Sequence, residues 1–452
     1  MAKIKSQYVC QNCGYTTAKW LGKCPECGNW DSLAEEAVAT ESKASFLDIK
    51  DKPRPKTLDS IKLDDLVRLE TGIREFDRVL GGGIVPGSLV LLGGDPGIGK
   101  STIALDASMK FSKKGVKVLY VSGEESEGQT AMRARRLGSS GRDLLIMTAT
   151  DLTAILQQAQ ELQPSLLVID SIQTMYNPEF ESAAGSVGQV RECTARLLRF
   201  AKSAGVAVLI IGHVTKEGNI AGPRLLEHMV DVVLQFEGER SYSFRVLRAL
   251  KNRFGSTHES GIFSMEEDGL KEVSNPSGLF LEKRGVAASG SATCACLEGA
   301  RPLLVEIQAL VARTPYGMPR RTAVGFDYNR VNMLLAILEK RMGMDFGTQD
   351  VYVNVVGGIK VSEPAADLAV VAALVSSYRN KPLPMGTLVV GEVGLTGEVR
   401  RVGLVDRRIK EASNLGFNRF VVPEAGAGSK LGLAGILQVK TLEEALDALF
   451  AK

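Results

Sequence analysis

The sequence predicts an α/β protein in which a mostly parallel sheet follows a small metal-binding unit and precedes an α+β domain. Short apolar runs alternate with helix-compatible stretches through the middle of the 452-residue chain. Four cysteines crowd the first 27 residues, and a different strand and helix pattern follows a break near Ser274. A chain of this length exceeds what one compact core accommodates, so several domains are expected.

Composition is that of an ordinary soluble globular protein. Hydrophobic residues make up 44% of the chain and charged residues 24%. The sequence has no run of about 18 apolar residues, so no membrane span is expected. The first residues do not resemble a secretory signal. We therefore expect a cytoplasmic protein without a membrane partner. The formal net charge of +3 does not by itself indicate a nucleic-acid-binding protein. Any such contact must come from local patches or loops.

The central domain is expected over residues 66–272. Its apolar runs are continuous, as in parallel strands that are covered on both faces. Helical stretches separate these runs, which predicts βαβ units. The predicted strands span 88–92, 116–122, 165–170, 206–212 and 230–236.

The flanking regions differ from this core. A four-cysteine motif is expected over 1–30 and a polar, proline-containing linker over 31–65. The C-terminal α+β domain is expected over 273–452. Its predicted strands span 303–311, 350–356, 388–391 and 419–422, and its predicted helices span 331–341 and 366–378.

A phosphate-binding loop is the most specific pattern in the chain. The stretch from Gly94 to Ser101 fits G-x-x-x-x-G-K-[ST], with an apolar strand before it and a helix-compatible stretch after it. Such loops turn backbone N–H groups toward phosphate, and the helix N-terminus adds partial positive charge. Lys100 is expected on the β- and γ-phosphates, and Ser101 on Mg²⁺. Nucleotide contacts are expected from Gly94, Asp95, Pro96, Gly97, Ile98, Gly99, Lys100, Ser101 and Thr102.

Polar residues end three further predicted strands. Asp170 is a candidate second Mg²⁺ ligand, although an aspartate there could also only cap a turn. Glu124 and Glu125 follow another strand, and one of them could orient the attacking water; spacing does not say which, and a solvated acidic turn is the alternative. His213 follows a fourth strand and could sense the γ-phosphate, or be an ordinary loop histidine.

Two cysteine pairs predict a structural metal site. Cys10 and Cys13 are separated by two residues, as are Cys24 and Cys27, so four thiolates can complete a tetrahedral shell. Zn²⁺ is favoured because nothing indicates redox chemistry, and metal binding should supply the folding energy of so small a unit. The remaining cysteines are expected to face apolar cores. They are Cys193, Cys294 and Cys296.

The chain resembles the bacterial RadA (Sms) DNA repair family over nearly its whole length. The resemblance is carried by the four-cysteine motif, the Gly94–Ser101 loop, the stretch Ala221–Asp231 and the pentapeptide Lys-Asn-Arg-Phe-Gly at 251–255. It implies a RecA-like ATPase core that uses ATP, Mg²⁺ and Zn²⁺, joined to a domain similar to the Lon protease domain. Members are DNA-stimulated ATPases that extend or branch-migrate recombination intermediates alongside the RecA recombinase.

The resemblance also implies roles for individual residues. Glu124 becomes the catalytic glutamate, and His213 the γ-phosphate sensor. Lys251 and Arg253 would act on the ATP of a neighbouring subunit, which requires a homo-oligomeric ring, with a hexamer expected. From the residues alone, this pentapeptide is a basic turn after a strand predicted over 242–250, for which a solvated surface loop remains the alternative.

Two loops are expected to face DNA in the channel of such a ring. One spans about 177–188, and the other spans about 215–224 with Lys216 and Arg224 as phosphate contacts. Single-strand grooves normally combine cations with aromatic stacking. The only aromatics near these loops are Tyr176 and Phe180, so contacts to the DNA backbone are expected without sequence reading.

The Lon-like domain is expected to lack proteolytic activity. Ala365 stands where the resemblance places the nucleophilic serine, and Asp406 occupies or adjoins the place of the lysine. A Ser–Lys pair needs a hydroxyl and a desolvated amine, so this domain is interpreted as a scaffold. Its paired arginines could follow DNA phosphates or be solvated surface charge.

Together these features predict a DNA-dependent ATPase motor of recombinational repair, helicase-like in action, that works on single-stranded DNA and branched intermediates. The alternative is an ATP-gated switch or clamp that acts on a protein partner without moving along DNA. An ATP-dependent protease is disfavoured by Ala365. Stimulation of ATP hydrolysis by single-stranded DNA distinguishes the first two hypotheses.

Overall fold

The computed structural model describes most of the chain in two compact units, 1–273 and 274–452, and each unit is treated by itself below. The described residues are 6–10, 15–37, 57, 67–138, 143–212, 226–238, 244–273, 277–281, 287–315, 317–424 and 434–450.

A small antiparallel sheet forms the N-terminal ribbon. It consists of β1 (Ser6–Cys10), β2 (Thr16–Thr17) and β3 (Leu33–Ala37), in the order β2-β1-β3. Because β3 pairs with β1 along its whole length, the ordered ribbon extends beyond residue 30, where the sequence analysis began the linker. The described apolar core of this ribbon is formed by two of the motif cysteines and a leucine, which is too little apolar surface to stabilise a fold.

A larger sheet forms the centre of the first unit. Nine of its strands fall within the described ranges, in the order β12-β11-β10-β9-β4-β8-β7-β5-β6. These strands are β4 (Leu89–Gly94), β5 (Val118–Ser122), β6 (Leu144–Thr148), β7 (Leu166–Asp170), β8 (Ala207–Ile211), β9 (Val232–Glu237), β10 (Phe244–Asn252), β11 (Ser260–Glu266) and β12 (Gly269–Glu272). The neighbours from β9 through β6 pair in parallel, and β10 to β12 extend the sheet antiparallel. The predicted, mostly parallel sheet is confirmed.

Helices cover this sheet on both faces. They are α1 (Arg74–Leu80), α2 (Lys100–Lys113), α3 (Glu127–Arg136), α4 (Leu152–Leu162) and α5 (Val187–Ala204). Successive side chains of β4 alternate between two separate buried clusters, with Val90 and Leu92 in one and Leu89 and Leu91 in the other. Burial on both faces explains why this strand is an unbroken apolar run in the sequence.

Helix α5 begins earlier than the sequence analysis expected. Ser186 caps its N-terminus by accepting a hydrogen bond from the backbone N–H of Gln189, and Gly205 ends it in the left-handed conformation. The loop expected over 177–188 therefore ends at residue 186.

The second unit is an α+β domain, as predicted. Its strands are β13 (Ser291–Glu298), β14 (Arg301–Arg313), β15 (Arg321–Val324), β16 (Gln349–Val355), β17 (Thr387–Val389), β18 (Glu392–Val393), β19 (Val399–Arg400), β20 (Arg419–Pro423) and β21 (Ile436–Val439). Its helices are α6 (Ser277–Phe280), α7 (Tyr328–Met342), α8 (Asp367–Tyr378), α9 (Val405–Asn414) and α10 (Leu442–Phe450). In the described part of this unit, seven strands form one sheet in the order β15-β16-β14-β13-β17-β20-β21.

The three cysteines outside the N-terminal motif lie in the interior of the two units. Cys193, Cys294 and Cys296 are all buried, and Cys193 belongs to an apolar cluster of the ATPase core, as predicted. Burial raises the pKa of the Cys193 thiol to about 12, so it remains protonated at neutral pH.

Within the described ranges, no helix combines the length and the apolar character needed to cross a bilayer.

Candidate functional site

The phosphate loop connects β4 to α2, in the predicted order. Its three glycines have positive φ, at 148° for Gly94, 77° for Gly97 and 115° for Gly99. A Cβ on Gly99 would lie 2.6 Å from the side chain of Leu270. Glycine is thus required there both by the backbone conformation and by space.

Lys100 is the first residue of α2, and its side chain folds back over the loop. Its ammonium donates hydrogen bonds to the carbonyl oxygens of Gly94 at 2.8 Å and Asp95 at 3.0 Å. Burial lowers the pKa of Lys100 to about 8, while the carboxylates of Asp170 and Glu124 oppose that shift. A buried ammonium held over a phosphate-binding loop is suited to contact the phosphates of a nucleotide.

Asp170 ends β7 in a buried position close to this lysine. The hydroxyl of Tyr120 on the adjacent strand β5 donates a 2.6 Å hydrogen bond to its Oδ2. Burial and the neighbouring carboxylate raise the pKa of Tyr120 well above its usual value, so the phenol stays a donor. The sequence pattern did not predict a role for Tyr120, although Tyr120 shares a strand face with Ser122 at the same sheet edge.

The two consecutive glutamates have different environments. Ser171, next to Asp170, donates a hydrogen bond from its hydroxyl to Glu124. Glu125 instead forms an ion pair with Arg133 of α3. The structure therefore separates an acid beside Asp170 from an acid engaged with a surface helix, which spacing alone did not do.

Strand order brings these groups together. Strands β4, β8, β7 and β5 are consecutive neighbours, and the carboxyl ends of parallel strands meet at one edge. The phosphate loop follows β4, Asp170 ends β7, and Glu124 follows β5 at that edge. The predicted sensor His213 lies outside the described residues; β8, which precedes it, runs between β4 and β7.

Lys251 and Arg253 lie at the opposite edge of the same sheet, which is the edge where the parallel strands begin. Strand β10 runs antiparallel to β9, so Lys251 is level with Val233 and hence with Leu91 near the start of β4. A strand rises about 3.3 Å per residue, so the end of β4 at Gly94 is roughly 10 Å further along the sheet. The structure does not bring these two cations to the phosphate loop of their own chain.

The pentapeptide is not the simple turn that the sequence analysis described. Lys251 and Asn252 belong to β10, because pairing with β9 resumes after a bulge between Ala249 and Lys251. The Asn252 amide donates to the carbonyls of Val79 and Leu80 at the end of α1, at 3.3 and 3.2 Å. Asn252 thereby fixes the motif, while the side chain of the following arginine remains 57% exposed.

A buried aspartate anchors Arg253. Asp231 is 1% exposed and accepts a 3.1 Å hydrogen bond from Nη1 of Arg253. Its other carboxylate oxygen accepts from the backbone N–H of Leu89 at 3.1 Å and from Nζ of Lys202 at 2.8 Å. Nothing local in the sequence indicated this role, because the partners are distant along the chain.

Of the two expected DNA loops, the one before α5 lies within the described residues. In the loop before α5, the Gln189 amide donates to the carbonyls of Asn177, Phe180 and Ser182, which holds the loop in one shape. The loop over 215–224, with Lys216 and Arg224, lies outside the described residues. Just beyond it, Nζ of Lys251 donates a 2.6 Å hydrogen bond to the carbonyl of Glu227.

The cysteine ribbon brings its described thiols together. The Sγ atoms of Cys10, Cys24 and Cys27 all lie within 4.8 Å of one another, and Cys10 and Cys27 are 3.7 Å apart. Four thiolates bound to zinc at about 2.3 Å would be separated by roughly 3.8 Å, so this spacing fits the ion. Cys13, the fourth predicted ligand, lies outside the described residues.

In the C-terminal unit, Glu363 and Asp367 flank Ala365, and each forms an ion pair with an arginine, Arg408 and Arg330 respectively. Arg408 of α9 is fully buried, forms an ion pair with Glu363 and donates to the carbonyl of Ala295. Asp406, which the sequence analysis placed at or beside the lysine position, is exposed. Asp406 and Arg408 are two residues apart, roughly 200° around the helix, so their side chains face nearly opposite directions.

Three segments of the chain match known protein families. The family described as an AAA domain matches residues 53–219, the rubredoxin metal binding domain matches 8–35, and the subunit ChlI of Mg-chelatase matches 310–426. Among solved structures, a KaiC-like protein from Pyrococcus horikoshii OT3 covers 46% of this chain and 99% of its own, at 20% identity and a TM-score of 0.39. A RadB recombinase covers 45% of this chain and 99% of its own, at 24% identity and a TM-score of 0.37.

Curated relatives match the chain almost from end to end. A Bacillus subtilis protein named DNA repair protein RadA is 53% identical over 94% of both chains. Proteins of the same name from Halalkalibacterium halodurans and Listeria monocytogenes are each 51% identical over 99% of both chains. Identity at this level over the full length makes this chain a member of the DNA repair protein RadA family.

Proposed function

We propose that this chain is a DNA-stimulated ATPase motor of recombinational repair that moves along single-stranded DNA and branch-migrates recombination intermediates. The observation that carries the proposal is the division of charged groups between two sheet edges. Lys100, Asp170 and Glu124 meet at one edge, whereas Lys251 and Arg253 lie at the other. A sheet with the phosphate site at one edge and two cations at the other is suited to a ring in which each ATP lies between two subunits.

In the proposed reaction, the phosphate loop and Lys100 bind the triphosphate of ATP. Ser101 and Asp170 supply the oxygen ligands that Mg²⁺ prefers, and the ion when bound would neutralise charge on the phosphates. Glu124, held by the Ser171 hydroxyl, orients the attacking water and accepts its proton. His213 would respond to loss of the γ-phosphate.

The second half of the site would come from the neighbouring subunit. Arg253 is 57% exposed and Lys251 is half-buried at the far edge. A cation delivered from a neighbour would stabilise the charge that develops on the transferred phosphoryl group. This arrangement supports a homo-oligomeric ring, for which we propose a hexamer.

The DNA contacts would come from the loop before α5 and from Lys216 and Arg224. The Lys251–Glu227 hydrogen bond connects the second of these regions to the proposed trans-acting motif. DNA in the channel would thereby influence hydrolysis at a neighbouring ATP. Branched intermediates and the RecA recombinase are the partners we propose, as the names of the relatives indicate a role in DNA repair.

Zn²⁺ is the metal we propose for the ribbon, bound by Cys10, Cys13, Cys24 and Cys27. The thiol spacing supports it, and four thiolates leave no open position for substrate. A thiolate metal site also suits a reducing cytoplasm, which is the compartment we propose. The C-terminal unit has alanine at 365, so we propose a scaffold without proteolytic activity.

The deciding experiment is the steady-state ATPase rate with and without single-stranded DNA, for the wild type and for Lys100→Ala. A several-fold stimulation that disappears in the variant is the expected result. A rate that is indifferent to DNA would overturn the motor and favour an ATP-gated switch that acts on a protein partner. Duplex DNA of the same length serves as the control ligand.

A further inference from the structure

Both tryptophans of the chain lie exposed on the cysteine ribbon. Trp20 is 54% exposed and Trp30 is 72% exposed, and the sequence has no other tryptophan. Tryptophan is usually well covered, and exposed aromatics that cluster are typical of binding surfaces. Neither the proposed metal site nor the proposed ATPase chemistry uses these side chains.

The second cysteine pair holds the two indoles on one hairpin. Lys23 and Trp30 form an antiparallel bridge, and the backbone N–H of Asp31 donates to the carbonyl of Gly22 at 2.9 Å. The backbone N–H of Cys24 donates to the carbonyl of Asn29, also at 2.9 Å. Ordering of the metal ligands therefore also orders the backbone at Trp30 and at Gly22, which follows Trp20 by two residues.

The indoles border a residue that has no side chain. A Cβ built on Gly22 would lie 3.6 Å from Cη2 of Trp20 and 3.8 Å from Cζ3 of Trp30. The Nζ atom of Lys23 lies 5.6 Å from the ring centroid of Trp30. The hairpin thus presents two aromatic rings around an open glycine, with an ammonium beside them.

We propose that Trp20, Trp30 and Lys23 form a stacking site for the bases of single-stranded DNA. Aromatic rings next to a cation are the combination that sequence-tolerant single-strand sites use. The aromatics near the loop before α5, Tyr176 and Phe180, are half-buried. This inference rests on the proposed function, because it assumes that the chain acts on DNA.

The charges of the hairpin define how the site should behave. Lys19 and Lys23 are exposed, but so are Glu26 and Asp31. Attraction to phosphate is therefore modest, and stacking has to supply most of the affinity of this site. Its contribution to binding should accordingly vary little with salt concentration.

Intrinsic tryptophan fluorescence tests the proposal directly, because it reports on this surface alone. The full-length, zinc-loaded protein is titrated with a fluorescein-labelled oligo(dT), and tryptophan emission and oligonucleotide anisotropy are recorded on the same samples. Stacking predicts quenching that follows the anisotropy. Trp20→Ala and Trp30→Ala should each raise Kd at least about fivefold, and Trp30→Phe should recover part of that loss.

The matched control is Leu21→Ala, which removes an exposed apolar side chain from the same loop. It should leave Kd unchanged if bases stack on the indoles, and zinc content verifies that every variant keeps its ribbon. Binding without quenching, or equal Kd for wild type and both alanine variants, overturns the stacking site but leaves the motor standing. A wild type that binds no oligonucleotide at all overturns both.

Discussion

The guanidinium of Arg253 lies 3.1 Å from the carboxylate of Asp231, which is almost completely buried between the start of β4 and the end of α5. The same carboxylate accepts the backbone N–H of Leu89, the first residue of the strand that leads to the phosphate loop. The residue proposed to act on a neighbouring ATP is therefore tied to the base of the strand that carries its own chain's phosphate loop. In the proposed ring, this contact would link adjacent ATP sites.

Two cations share this aspartate, and they should differ in function. Arg253→Ala is expected to lower the ATPase rate roughly 10³-fold, because a cation at the transferred phosphoryl group is lost. Lys202→Ala removes the other partner of Asp231 and should leave the rate within a few-fold of wild type. Steady-state hydrolysis with single-stranded DNA measures both.

Action in trans is tested by mixing subunits. Lys251→Ala or Arg253→Ala rings should regain activity when mixed with Lys100→Ala subunits, because one interface then has an intact loop and an intact motif. Absence of recovery at every mixing ratio would mean that these cations act within their own subunit or do not act on ATP.

Substitutions of Glu124 and Glu125 should have different effects on ATP hydrolysis. Glu124→Gln is expected to reduce hydrolysis at least about 10²-fold while ATP still binds, because the group that orients water is neutralised. Glu125→Gln removes only the partner of Arg133 and should keep most of the activity. Single-turnover hydrolysis and binding of a fluorescent ATP analogue distinguish the two, and equal losses would contradict the assignment.

Nucleotide affinity should depend on pH through Lys100. Burial lowers the pKa of Lys100 in the free protein to about 8, and phosphates beside the ammonium would raise it again. Affinity should then be insensitive to this group below that pH and fall by up to about tenfold per pH unit above it. Arginine stays charged over this range, so any residual affinity of Lys100→Arg should not show the decline.

Zinc should bind only at the cysteine ribbon. Cys24→Ser or Cys27→Ser is expected to release the bound zinc, because a serine hydroxyl is a poor ligand for this ion. Cys193→Ser alters a buried thiol in the ATPase core and should retain full zinc content. Elemental analysis of the purified proteins provides the measurement, and zinc retained by both ligand variants would contradict the site.

The ion pair between Arg408 and Glu363 should stabilise the C-terminal unit. Arg408→Ala leaves Glu363 without its buried partner and is expected to destabilise this unit by about 3 kcal/mol. Arg400→Ala breaks a pair whose arginine is 57% exposed and should cost little. Hydrogen exchange of peptides from α9 and β13 in the full-length protein compares them, and similar protection in both variants would argue against this role.

The sequence by itself determined the phosphate loop, the cysteine pairs and the parallel character of the central sheet. Each of these depends on residues that are close along the chain, and local backbone geometry makes such patterns specific. The predicted strands agree with the observed ones to within about two residues at most ends, because burial on both faces leaves a continuous apolar run. Family resemblance added roles for Glu124 and Arg253, but not their surroundings.

Only the tertiary structure decided which glutamate lies beside Asp170, at which sheet edge Arg253 lies, and that Arg408 is the buried partner of Glu363. These relationships follow from strand order, from a bulge in β10 and from the face of α9 that packs inward. The partners are separated by tens of residues along the chain. Long-range packing determines which of them meet, and no local pattern in the sequence encodes it.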